Sequence, residues 1–396
     1  MNKIVEKVTK KKVCLVTFFG DNYGGCLQAF ATQNYLEKLG VEVQILNYIY
    51  VRKKRKTIKW FINKINACRP FRNYLKRKKI IHANVKNEHK RHAAFEQFRR
   101  QYLHLTPKVF YGINDLRNDT LNFDLYLAGS DQIWNPTFYD CCNPVYYLSF
   151  VGTNKRKGSY ASSIGLSAMP KHYCEDFKRY IDQLDFISVR ERQGSRIIND
   201  ITGRSVEVVL DPTFLLQPDD YEKLEQKVKV DTCRYIFCYL FSEFDYFADI
   251  KEYAKNVLGL KIVSFPYTIR ELISNDEKIF DATPADFVKM IKNAELVITD
   301  SFHATALSIN HQTPFLTLAR QLDCDVKNMN SRIYSLLEMF ELTDRLIDRN
   351  NYKQKIENYK IDFEHSSMIL EQKRSEAKKF LLNWVVDYVN MRSNEM

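Results

Sequence analysis

The sequence predicts an α/β protein of two domains, each a parallel sheet wrapped by helices. Three observations lead there. A length of 396 residues corresponds to about two domains. Apolar residues make up 45% and charged residues 27%, the balance of a globular chain with ample buried core. Short apolar runs alternate along the chain with helical patterns and polar turns, as parallel sheets with crossover helices require.

The elements follow in order. "KVCLVTFF" (12–19) reads as a strand, "GDNYGG" (20–25) as a turn, and "CLQAFATQNYLEKLG" (26–40) as a helix stopped by Gly40. "VEVQILNY" (41–48) is the next strand. "FDLYLAGSDQIWNP" (123–136) is a buried strand running into a polar loop, and "KGSYASSIG" and "LDFISVRERQGSRIIND" repeat that scheme. "VEVVLDPTFLL" is a short strand, after which Pro212 and Pro218 break the pattern. "CRYIFCYLF" opens a second α/β unit. It continues through the strand "LKIVSFPY", the helix "PADFVKMIKNA" with Phe287, Met290 and Ile291 on one face, and "ELVITDSFHATALSI". "TPFLTLA" reads as a strand and "SRIYSLLEMFEL" as a helix. "MILEQKRSEAKKFLLNWVVDYVN" reads as a terminal amphipathic helix. The interdomain link is expected near 212–232. That divides the chain into 1–215, 216–345 and a helical segment 346–396.

The formal net charge of +12 is unevenly distributed. Residues 51–100 hold eighteen Lys/Arg against Glu88 and Glu96, a local net of +16, so the rest of the chain carries 12 minus 16, or −4. Within this insert Trp60, Phe61, Ile65, Phe71, Tyr74 and Leu75 interleave with the charges. Three readings stay open: a basic amphipathic surface on an anionic membrane through residues 52–80, a solvated or partner-binding face, and a nucleic-acid patch. No nucleic-acid-binding motif accompanies it, so no nucleic-acid partner is expected. The nine cysteines are scattered without a CxxC pair or zinc-ligand spacing, which predicts reduced thiols, a cytoplasmic setting and no metal. "VCLVTFFG" after Lys10–Lys12 reads as a strand rather than a signal peptide, since the apolar run is short and no small-residue cleavage site follows. No apolar run approaches the ~20 residues of a spanning helix.

Ligands of open parallel sheets sit beyond the carboxyl ends of the strands. The polar residues there are Gly20–Gly25, Gly129–Gln132, Ser162 and Ser163, Arg190 and Glu191, Asp211, and Asp300–His303. In the last group an apolar run passes through an acid, a hydroxyl and a histidine straight into a helix. A helix start offers unpaired N–H groups and partial positive charge, which suits a phosphate or carboxylate. Ser301 is then an N-cap or an anion ligand, and His303 a satisfied histidine or a group that binds an anionic oxygen or moves a proton. The glycines at 24 and 25 serve either a tight turn or close approach to an anion. Arg190 projects from a strand end, either to an anion or to a surface ion pair. In "GSDQIWNP", Asp131, Gln132 and Trp134 either meet a ligand or hold the loop.

"FGDNYGGCLQAFA", "DLYLAGSDQIWNP", "SYASSIG", "FISVRERQG", "LDPTFLL" and "ELVITDSFHATALSI", in this order and at these separations, resemble the polysaccharide pyruvyl transferase family from about residue 13 to 345. The resemblance implies a glycosyltransferase-B-like architecture: two Rossmann-like domains facing a cleft, with the C-terminal helix crossing back to the first. It implies transfer of the enolpyruvyl unit of phosphoenolpyruvate to a sugar of a polysaccharide or lipid-linked glycan precursor, as a pyruvate ketal, with release of phosphate. Phosphoenolpyruvate is then a co-substrate, and no further cofactor or metal is needed. The acceptor is a glycan or a polyprenyl-diphosphate-linked sugar, which would suit a cytoplasmic enzyme touching the inner membrane surface.

The donor would be held on the second domain and by Arg190, with His303 matching the family's donor-binding histidine. Many members carry arginine where this chain has Ser301, and a donor with close to three negative charges wants more cations than one arginine and one histidine. Arg320 and Arg332 are the expected replacements. His303, Asp131 and Asp21 are the expected acid–base residues, Asp131 ahead of Asp21 as base. Asn22, Tyr23, Gly24, Ser130, Gln132 and Trp134 are expected to hold the acceptor. Two rival readings remain: a nucleotide-sugar-dependent glycosyltransferase of the same fold, and a non-catalytic capsule-assembly protein.

Overall fold

The computed structural model describes residues 11–51, 84–224, 234–321 and 328–387. The first half is a six-stranded sheet in the order β2-β1-β3-β4-β5-β6. Its strands are β1 (Lys12–Val16), β2 (Glu42–Ile45), β3 (Leu125–Ala128), β4 (Arg156–Ser162), β5 (Phe186–Val189) and β6 (Glu207–Val208), and every pairing is parallel. The second sheet runs β12-β11-β10-β7-β8-β9. It comprises β7 (Tyr235–Tyr239), β8 (Lys261–Ser264), β9 (Glu277–Lys278), β10 (Leu296–Thr299), β11 (Phe315–Leu318) and β12 (Leu346–Ile347), again all parallel. β1, β3, β7, β10 and β11 are buried almost throughout, the mark of strands covered on both faces. Two such sheets wrapped by helices and facing one another form the expected glycosyltransferase-B-like arrangement.

Four helices position the site. α1 (Tyr23–Lys38) starts three residues earlier than expected, so Gly24 and Gly25 are helical and the turn is confined to 20–22. Asn22 caps it, its Oδ1 accepting from the Gly25 N–H at 2.9 Å. α2 (Val85–Tyr102) lies inside the expected basic insert, yet it buries Arg91, Ala94, Phe95 and Phe98. Arg91 donates to the Pro266 carbonyl and lies over Tyr267, so this part of the insert joins the halves. The reading of 52–80 as a membrane surface falls outside the described residues. α5 (Pro284–Lys292) begins with a capping box between Thr283 and Asp286, and α6 (Phe302–Asn310) follows β10 directly.

One apolar core crosses the interface. Tyr23 from the start of α1 stacks on Phe287 of α5 at 4.7 Å, packs on Phe95 and donates its hydroxyl to the Ala282 carbonyl. Val13, Leu27 and Phe95 of the first half belong to the same buried cluster as Phe237, Phe287 and Leu307 of the second. A further helix, α8 (Glu364–Leu381), crosses back, placing Phe380 against Tyr160 and Phe186 of the first sheet. Its Arg374 donates to the Phe214 carbonyl, tying the helix to the connecting segment. Among the described residues no helix is long and apolar enough to cross a membrane.

Candidate active site

The carboxyl ends of both sheets converge on one corner. Arg190, one residue past β5, is 3% exposed. Its Nη1 donates to Asp211 Oδ2 at 2.8 Å and its Nη2 approaches Asp131 Oδ1 at 3.5 Å. Its plane lies 4.0 Å from the centre of the Phe302 ring, at the start of α6 in the other half. His303, 6% exposed, sits 3.3 Å from Arg190 Nη1 and 3.6 Å from Asp211 Oδ2, in both cases through Nε2. The guanidinium of one half and the imidazole of the other thus share a single carboxylate.

Asp211 is the pivot. It had stood among the polar residues at strand ends without a role of its own. Oδ1 accepts from the Thr213 N–H and hydroxyl, while Oδ2 accepts from Ser130 Oγ and Arg190. Burial alone would push this carboxyl up. The charges of His303 and Arg190, with their hydrogen bonds, outweigh it and hold the group well below the usual carboxylate range.

His303 lies against Gly24. A Cβ built on Gly24 would fall 2.0 Å from His303 Nδ1, so only glycine lets the starts of α1 and α6 meet here. Both helix starts turn partial positive charge on the same corner. Gly24→Ala is expected to cost about 1–3 kcal/mol, from overpacking against the ring. Urea denaturation checks this, and an unchanged midpoint would show that the ring is not confined.

Two more guanidiniums border the corner. Arg320, just past β11, donates through Nη2 to the Asp300 carbonyl at 3.2 Å and stacks on Phe241 at 4.3 Å; its buried Nε has no partner. Arg332 is buried at the start of α7 (Ser331–Met339), donating through Nε to the Met329 carbonyl at 3.3 Å. Burial first, then the charges of Arg190 and Arg320, push Arg332 down to about 9, with Asp131 and Glu191 opposing. Among the described residues neither Arg320 nor Arg332 has a carboxylate partner. A guanidinium keeps its proton, so this corner favours an incoming anion.

The remaining expected residues divide clearly. Asp300 accepts from the Phe241 and Ser242 N–H groups and the Ser242 hydroxyl, so its carboxylate holds the loop after β7. Ser301 caps α6 by accepting from the Ala304 N–H at 3.4 Å. Tyr23, expected at the acceptor, is buried in the interface with its hydroxyl given to Ala282. Trp134, also expected there, is 1% exposed, donates Nε1 to the Tyr146 carbonyl and stacks on Tyr147. Ser130 is buried on Asp211 and Gly24 beneath His303, so both shape the corner from below. Asp131, Gln132, Asn22, Asp21 and Arg320 line an open cavity of about 1060 Å³ in front of it. Asp21 is bridged to Arg99 at 2.7 Å and His92 at 2.6 Å, whereas among the described residues the Asp131 carboxylate makes only the long contact to Arg190.

Asp131 also adopts φ 66°. A non-glycine residue in this region stores strain, and here the chain is held by the Ser163 N–H donating to the Asp131 carbonyl at 2.9 Å. Ala161, at φ 55°, marks the bulge in β4 that brings Ser162 and Ser163 to this position.

Glu191 stood among the strand-end polar residues without a role of its own, and an aromatic wall escaped sequence reasoning. Glu191 Oε1 accepts from Ser163 Oγ and from the Ile164 and Gly165 N–H groups, fixing the loop after β4 behind Arg190. The wall comprises Tyr48, Tyr50, Phe138, Tyr139 and Tyr146. Its available signal was the tyrosine pair two residues apart in "NYIY" and the aromatic pairs in "TFYDCCNPVYY".

The fold and corner define an α/β protein that presents a cationic cluster to a cleft at the carboxyl ends of its strands. The family model "Polysaccharide pyruvyl transferase" matches residues 22–321, and the chain belongs to that family. It is accordingly a transferase of polysaccharide pyruvylation. A search of curated proteins gave no match. Among solved structures, a putative UDP-N-acetylglucosamine 2-epimerase from Listeria monocytogenes is similar at 11% identity and a TM-score of 0.48, over 94% of this chain and 97% of that one. Arabidopsis thaliana UGT89C1 complexed with UDP-L-rhamnose is similar at 9% identity and a TM-score of 0.48, over 97% and 98%.

Proposed function

We propose that the protein transfers the enolpyruvyl unit of phosphoenolpyruvate to a glycan as a pyruvate ketal. The observation that carries this is the meeting of Arg190 and His303 with Arg320 and Arg332, two guanidiniums without a carboxylate partner among the described residues. Phosphoenolpyruvate presents a carboxylate and a phosphate on one three-carbon unit, which matches that surplus. His303 protonates the methylene carbon, leaving C2 electrophilic. Asp131 takes the proton of the attacking sugar hydroxyl as the C2–O bond forms. The C2–phosphate bond breaks, a second hydroxyl closes the ketal, and phosphate leaves with one of the two hydroxyl protons. The arginines stabilise the departing charge. Residues 52–80 provide, in this reading, a surface for an anionic membrane carrying lipid-linked acceptors.

The test is incubation with phosphoenolpyruvate and a panel of free and lipid-linked glycans, reading phosphate release and product mass. Consumption of a UDP-sugar without phosphoenolpyruvate turnover would favour the glycosyltransferase reading instead. Arg332→Met should raise KM for phosphoenolpyruvate about 10- to 100-fold, from the loss of about 1.5–3 kcal/mol in a charged hydrogen bond. An unchanged KM would remove Arg332 from the donor site. Asp131→Asn should keep the fold, because asparagine accepts positive φ, while kcat falls about 10²- to 10⁴-fold. Near-normal turnover would pass the role of base to another group.

A further inference from the structure

We infer that the aromatic-walled cavity is an extended glycan subsite, so that the enzyme selects oligosaccharides over single sugars; this rests on the pyruvyl-transfer reading.

The size of the cavity comes first. At about 1060 Å³ it lies at the top of the roughly 300–1,000 Å³ that holds a drug-sized ligand. One hexose beside Asp131 would leave most of that space to water. The lining comes second. Tyr139 and Tyr146 pack at 5.6 Å with planes tilted by 32°, and Tyr50 meets Tyr139 edge-on at 4.7 Å. Phe138, 39% exposed, stands at the rim. Ile49, 47% exposed, lines the same cavity, so its apolar lining is open to solvent at more than one side chain. The C–H faces of pyranose rings carry slight positive charge and lie well on the negative face of an aromatic ring.

Charge comes third. The cations of the wall are already matched: Arg99 to Asp21 at 2.7 Å and Arg100 to Glu96 at 2.7 Å. That part of the lining therefore suits an uncharged chain, while Arg320, without a carboxylate partner among the described residues, lines the cavity toward the donor corner. Asp131 and Arg320 line the cavity too, so the two regions are continuous. A chain seated along the wall would lead its terminal sugar to Asp131.

The experiment is calorimetric titration of the full chain, without phosphoenolpyruvate, with galactose- and mannose-based oligosaccharides of one to five units. Affinity should rise tenfold or more from one unit to three in at least one series. In Phe138→Ala and Tyr50→Ala that rise should flatten while monosaccharide binding stays within twofold. Tyr50→Phe, which keeps the ring, should retain it, and circular dichroism confirms folding. No dependence on length in either series, or a dependence untouched by both alanine variants, overturns the subsite. Phosphoenolpyruvate-driven transfer that is equally fast to one unit and to three also overturns it, leaving pyruvyl transfer standing. Length-dependent binding without any phosphate release from phosphoenolpyruvate does the reverse: the subsite stands and the transfer reading fails.

Discussion

His303→Ala is expected to lower kcat about 10²- to 10⁴-fold, the range for loss of a positioned proton donor. The reason is geometric. His303 Nε2 lies 3.3 Å from Arg190 and 3.6 Å from Asp211, at a point where both halves meet one buried carboxylate. A neutral ring accepts from Arg190, and a protonated one can turn its charge to Asp211. His303→Gln separates the two roles, since it keeps a hydrogen-bonding group but no exchangeable acid. It should restore part of the donor affinity and none of the rate. Steady-state kinetics of phosphate release checks both variants, and alanine turnover within tenfold of wild type would dismiss the assignment.

Arg190→Ala should have the largest effect on folding, about 3–5 kcal/mol, because it strands Asp211 and Asp131 near an apolar core. The pH dependence follows with a definite sign. Asp211 is held low in the folded protein, so its stabilising contribution is complete above the unfolded carboxylate value of about 4. In the wild type it is lost only as pH falls further, towards the depressed folded value. Without Arg190 the folded value moves back up, so the variant lacks this contribution at neutral pH and its deficit against the wild type should shrink as pH falls below about 4. Denaturant midpoints from about pH 2 to 7 measure this, and a deficit that stays constant down to about pH 2 would show that the ion pair is not its source. Arg190→Lys keeps the charge and loses the fork that reaches Asp211 and Asp131 together, so it should fall between.

Much of this corner was legible. Arg190 and His303 each follow an apolar strand run directly, and a strand end in a parallel sheet fixes where a side chain is delivered. Strand periodicity likewise marked the principal strands of both sheets, though not the two-residue edge strands β9 and β12. Tyr23 and Trp134 were misplaced for a shared physical reason. Their polar tips suggested a ligand, but whether a hydroxyl or indole N–H meets a sugar or a backbone carbonyl depends on which elements pack over it. The acid of "TDSFH" poses the same difficulty: Asp300 is committed to N–H groups of a loop 58 residues earlier. The aromatic wall was harder still. Tyr48, Tyr50 and the 138–146 segment lie outside the principal strands, so neither a twofold nor a 3.6-residue period marks them.

The core shared through Tyr23, Phe95 and Phe287 bears on how such enzymes diversify. Halves joined by a polar seam can be exchanged between relatives as modules. Here the first turn of one half is stacked into the second, and a glycine and a histidine from opposite sides are fitted in ring-to-backbone contact. A chimera combining this first half with a foreign second half would leave Tyr23 without its socket and Gly24 without its fitted histidine. New acceptor preferences should therefore arise by point changes along the cavity wall rather than by recombination.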